Sequence, residues 1–90
     1  MTDSESFDRN QEQLRDLLAR KVRELRLASE MSQRDLADEA GIRQALISQI
    51  ERGEANVTLD SLLKIAIALN VEFTDLFEPD GQEQRQPRLR

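Results

Sequence analysis

Leu14, Leu18, Val22 and Leu25 recur at spacings of four and three, which puts them on one face of a helix. Upstream of them Asn10 and Gln13 carry a capping-box signal, so the pattern predicts a first helix from about Gln11 to Ala28. Leu36, Ala37 and Ala40 form a narrower second stripe. Ser32, followed three residues later by Asp35, starts it, and Gly41, able to take a left-handed backbone, ends it. From Arg43 the period resumes, with Leu46, Ile47 and Ile50 on the buried side until Gly53. Thr58 can cap a fourth helix to about Leu69, on which Leu59, Leu62, Leu63, Ala66 and Ile67 are apolar, with Asn70 as a left-handed stop. A short fifth helix, Phe73 to Phe77, ends before Pro79.

The second and third of these helices are short and joined by a tight turn, which forces a steep crossing and holds the third helix outward. Its outer positions are Gln44, Ala45, Ser48 and Gln49. An ordinary exposed helix carries Glu and Lys, whereas this one offers two amides, a hydroxyl and a methyl. Gln can pair with adenine N6 and N7, Ser can donate or accept, and Ala can meet a thymine methyl, so these residues can read base edges in a major groove. The same residues also make an ordinary polar solvent face, and spacing alone leaves both readings open.

The segments VRELR, SQRDLADEAGI, ISQIERG and LDSLLKIAIALNVEFTDLF, spanning roughly Leu17 to Phe77, resemble the Cro/repressor-type helix-turn-helix regulators of the XRE family, which have the lambda repressor-like fold. The resemblance implies an all-α bundle of five short helices with the third as recognition helix, here with an extended first helix. It implies that Gln44, Ala45 and Gln49 face bases, that Gln33 touches phosphate, and that Arg26 and Glu51 form an ion pair between the first and third helices. With Gln33, we expect Lys21, Arg43, Arg52 and Asn56 as the phosphate-contacting set. Two departures stand out: Arg43 occupies a position where relatives often place a Ser or Thr cap, and the loop Glu54, Ala55, Asn56, Val57 lacks their Lys or Arg.

The net charge of −5 opposes DNA binding until its distribution is considered. Arg15, Arg20, Lys21, Arg23 and Arg26 outnumber Asp16 and Glu24 between Leu14 and Ser29, while Asp3, Glu5, Asp8 and Glu12 outnumber Arg9 before Leu14. Between Gly41 and Gly53, Arg43 and Arg52 face only Glu51. Backbone N–H groups at helix starts also bind phosphate without a basic side chain. We therefore expect modest non-specific binding and a shallow salt dependence.

Neither cysteine nor histidine occurs, so thiol chemistry, disulfides, the usual metal ligands and a near-neutral acid–base residue are missing. The carboxylates lie among Lys and Arg without an apolar pocket to shift them. No enzymatic activity, cofactor or metal is expected. No apolar run approaches the ~20 residues needed to span a bilayer, and the acidic start TDSESFD is unlike a basic targeting leader, so a cytoplasmic protein without a membrane partner is expected.

The expected organisation is a disordered acidic N-terminus at residues 1–9, a DNA-binding domain at 10–78 and a disordered polar tail at 79–90 containing Arg85, Arg88 and Arg90. A core of about 60 residues buries only around 60% of its unfolded surface, so a partner would help stability. Leu69, Val71, Phe73 and Leu76 are the candidate homodimer contacts. Leu14 and Leu17, on the added N-terminal turns, suit either packing against the C-terminal helix or a dimer contact. The expected function is sequence-specific transcriptional regulation by a homodimer on double-stranded DNA with a near-palindromic operator. The alternative is an antitoxin-like module that neutralises a toxin partner and autoregulates its operon.

Overall fold

Four α-helices and one 3-10 helix account for residues 3–79, the part of the chain that the computed structural model describes. Helix α1 spans Asp3–Ala28, α2 Gln33–Ala40, α3 Gln44–Glu51 and α4 Leu59–Leu69, and the 3-10 helix spans Phe73–Phe77. Among the described residues no strand occurs. Most of the expected tail, including Arg85, Arg88 and Arg90, lies outside them.

Two expectations change here. Helix α1 begins at Asp3 rather than Gln11, so residues 3–9 are helical where disorder was expected and Asn10 sits mid-helix instead of capping. Once a helix is nucleated, each added residue costs little, and Asp3 and Glu5 in the first turn complement the helix dipole. The fifth helix is a 3-10 helix, which leaves four α-helices. Its backbone shows an i to i+3 bond from Asp75 to Glu72 at 2.9 Å, and Pro79 leaves no room for a further α-turn.

All four α-helices stop in the same way. Glu30, Gly41, Gly53 and Asn70 each take a left-handed backbone, with φ between 59° and 74°. The amide of the next residue in each case donates back five positions along the helix: Met31 to Arg26, Ile42 to Ala37, Glu54 to Gln49 and Val71 to Ala66, all at 3.0–3.1 Å. This is the Schellman arrangement, which satisfies carbonyls that a helix end leaves open. Three of the four stops are Gly or Asn, residues suited to that backbone; Glu30 has no such suitability.

The core is built from Leu18 and Val22 of α1, Leu36, Ala37 and Ala40 of α2, Ile47 and Ile50 of α3, Leu62, Ile65, Ala66 and Leu69 of α4, and Leu76 of the 3-10 helix. Helix α3 packs against both α1 and α2, α4 packs against α2, and the 3-10 helix closes against α1 and α4. The core therefore grips α3 from one side only.

Two of the four expected dimer contacts belong to this core: Leu69 is 5% exposed and Leu76 fully buried, while Val71 and Phe73 are half-buried against it. The small domain uses these side chains to close its own interior. The exposed apolar surface lies instead on α4, where Leu59, Leu63 and Ile67 form an i, i+4, i+8 stripe beside the buried one. On α1, Phe7 and Leu14 are exposed, and Leu14 borders a shallow groove with Leu18, Val57 and Phe77.

Candidate nucleic-acid interface

Helix α2 is fixed at both ends. The Ser32 hydroxyl accepts from the Asp35 amide at 2.9 Å while the Asp35 carboxylate accepts from the Ser32 amide at 3.0 Å, a complete capping box. That backbone hydrogen bond, followed by the one with the Ser32 side chain, holds the Asp35 carboxyl below its ordinary value of 3.8. Gly41 then turns the chain, and Ile42, half-buried against the core, anchors the connection. Arg43 supplies the extended backbone that starts α3 but no side-chain cap, as expected for an Arg in that place.

Within α3 the two faces separate cleanly. Ile47 and Ile50 are buried, Leu46 is half-buried, and Gln44, Ala45 and Gln49 are exposed. Ile42, Arg43, Ala45, Leu46 and Gln49 line an open depression of about 400 Å³ on the outer side. Ser48 is half-buried and its hydroxyl accepts a hydrogen bond from Arg52 Nη1.

The far end of α3 is tied to α1 and α2 through one carboxylate. Arg26 donates to Glu51 through Nε at 2.7 Å and Nη2 at 3.0 Å, and through Nη1 to the Met31 carbonyl at 2.8 Å. Both side chains are nearly covered, at 10% and 3% exposure. The hydrogen bond to Glu51, helped by its negative charge and opposed by burial, raises the Arg26 pKa further above its ordinary value. Gln33 Nε2 donates to the same carboxylate at 3.1 Å. Among the described residues, no buried side-chain nitrogen or oxygen lacks a hydrogen-bond partner. Gly53, just beyond, lies so close to α1 that a Cβ there would come within 3.3 Å of Asp16 Oδ1.

The expected phosphate contacts are placed unequally. Arg43 is exposed at the start of α3. Gln33 turns its amide toward Glu51, because a buried carboxylate with lone pairs left over attracts the nearest donor, and one of its two N–H bonds is taken up there. Lys21, 13% exposed, pairs with Glu24 at 3.5 Å on α1. Arg52 is held by Ser48 and by Glu54 Oε1, the latter at 3.1 Å, and the Asn56 carboxamide oxygen accepts from Arg15 of α1.

Arg15 and Glu54 were not among the expected site residues. Arg15 lies 41 positions from its partner and has no local signal, whereas Glu54 follows Arg52 by two residues and opposite charges at that distance mark the pair. No group of three or more Asp or Glu able to hold a metal ion occurs among the described residues, nor any helix long and apolar enough to cross a membrane.

Comparison with known proteins places this geometry among relatives. The helix-turn-helix (HTH_3) family matches residues 22–76. The chain is 47% identical over 66 residues to the control protein C.BamHI of Bacillus amyloliquefaciens, covering 72% of this chain and 82% of that one. It is 36% identical over 73 residues to the control protein C.SmaI of Serratia marcescens, covering 81% and 87%. Among solved structures, the restriction-modification controller protein C.AhdI from Aeromonas hydrophila is similar with a TM-score of 0.68 at 38% identity, covering 70% of this chain and 96% of that one.

Proposed function

Because this chain belongs to the helix-turn-helix family of DNA-binding transcriptional regulators, we propose that it acts as a homodimer that reads a near-palindromic operator by inserting α3 into the major groove. The observation that carries this reading is the division of α3: Ile47 and Ile50 are locked into the core, while Gln44, Ala45 and Gln49 stand free on the opposite face. Their chemistry suits direct readout, with Gln44 and Gln49 for adenine and Ala45, beside the apolar lining of Ile42 and Leu46, for a thymine methyl. Arg43 and the backbone amides at the start of α3 would meet phosphate.

The stripe of Leu59, Leu63 and Ile67 supports the dimer, since a small domain seldom leaves three large aliphatic side chains aligned in water. Two-fold symmetry would then set half-sites about 34 Å apart. The similarity to controller proteins favours a role in regulating a restriction–modification system, and adjoining genes for a nuclease and a methyltransferase would agree with it.

The test is selection of binding sites from a random DNA pool at near-physiological salt, run beside a Gln44→Ala/Gln49→Ala variant. The wild type is expected to recover a near-palindromic site, and each single substitution to cost ~1–3 kcal/mol with relaxed preference at one base pair. Failure to enrich any site, or an equal loss on every sequence, would overturn direct readout.

A further inference from the structure

We propose that Glu54 sets the DNA specificity of this protein by restraining Arg52, an inference that rests on the DNA-binding reading above. Gln44, Ser48 and Arg52 follow one another at i, i+4 and i+8, so Arg52 continues the outward face of α3 just past its last turn. The guanidinium is held from two sides there. Nη1 donates to Ser48 Oγ, Nε donates to Glu54 Oε1 at 3.1 Å, and Nη2 has no protein partner among the described residues. Both charged side chains stay exposed, at 54% and 59%, so the pair adds little to folding.

Its effect falls on binding instead. A free arginine at the edge of a reading face attracts any phosphate and strengthens binding to every duplex alike. Glu54 cancels that charge and keeps the side chain against Ser48. The cation that would otherwise favour DNA in general is thereby restrained, and discrimination is left to the base-facing residues. Glu54 is a positioning residue, acting through Arg52, and Ser48 serves as the second hold on the guanidinium rather than as a free reader of bases.

The experiment measures binding of the full chain to a duplex recovered by selection and to a random-sequence duplex of equal length, between 50 and 200 mM salt. Glu54→Gln is expected to tighten binding to the random duplex more than to the selected one, lowering their ratio. Each released Arg52 should steepen the logarithmic salt dependence by about 0.9, an extra loss of roughly 3.5-fold across that fourfold salt range for each protomer. Glu54→Asp should retain most of the wild-type ratio, and melting temperatures should be unchanged.

The decisive arm repeats Glu54→Gln in an Arg52→Ala background, where the gain should vanish. If it persists there, the effect is one of net charge and the proposed restraint is wrong. An unchanged salt dependence in Glu54→Gln alone would also overturn it. Absence of binding to any duplex by the wild type would remove the DNA-binding reading, and this inference with it.

Discussion

Arg26 and Glu51 meet in a two-pronged ion pair, 25 residues apart in sequence, that closes the end of α3 onto the end of α1. The same guanidinium caps the Met31 carbonyl and the same carboxylate collects Gln33, so one pair stitches three helices together. Removing either member strands a nearly buried charge. Arg26→Ala or Glu51→Ala should each cost ~3–5 kcal/mol of stability, and the double variant less than the sum, as followed by urea unfolding. A melt unchanged by either single substitution would show the pair to be ornamental.

Glu30 is the weak stop among the four. A side chain in the left-handed region costs more than the backbone freedom that glycine brings to the unfolded chain, so Glu30→Gly should stabilise the domain by about 0.5–1 kcal/mol. For a domain of this size that corresponds to a rise of a few degrees in Tm. A fall in Tm would mean that the Glu30 side chain makes up for the strain.

Asp35 links stability to acid. Its carboxyl is held below 3.8 by the Ser32 amide and hydroxyl, so it contributes stability fully above that pH and loses it as pH falls through the lowered folded value. Asp35→Asn should make stability less dependent on pH below about 4 and should lower it near neutrality. Chemical denaturation from pH 2 to 7 checks both; parallel curves for the two proteins would contradict the assignment.

On α4, Leu63→Glu should convert a homodimer to monomer without loss of helix content, because Leu63 takes no part in the core. Sedimentation and the concentration dependence of Tm report it. Dimers that survive the substitution would move the interface elsewhere.

Local features were readable from the residues themselves, whereas the long-range Arg26–Glu51 pair was anticipated only through the family resemblance. Ser32 with Asp35, Gly41, Thr58 and Asn70 marked helix ends correctly because a cap depends on neighbours three or four residues away. Periodicity likewise found Ile47 and Ile50. It failed at α4, where two apolar stripes run side by side and only the packed fold decides which one goes inward. In that fold Leu62, Ala66 and Leu69 go inward and Leu59, Leu63 and Ile67 stay exposed, while Leu69 and Leu76, expected as dimer contacts, close the domain's own core. Polar composition misled at residues 3–9, since an unremarkable sequence joins a helix readily when one is already formed beside it. The Gln33 turn toward Glu51, across 18 residues, left no trace in either segment.

The two faces of α3 are answerable to different demands. Gln44, Ala45 and Gln49 are exposed and take no part in the core, so they can be exchanged without repacking it. On the proposed direct readout, a lineage carrying this scaffold would adopt a new operator in a handful of steps, each intermediate still folded, while Ile47, Ile50 and Glu51 stay as they are. The grammar of the fold is conservative and its vocabulary is free to drift.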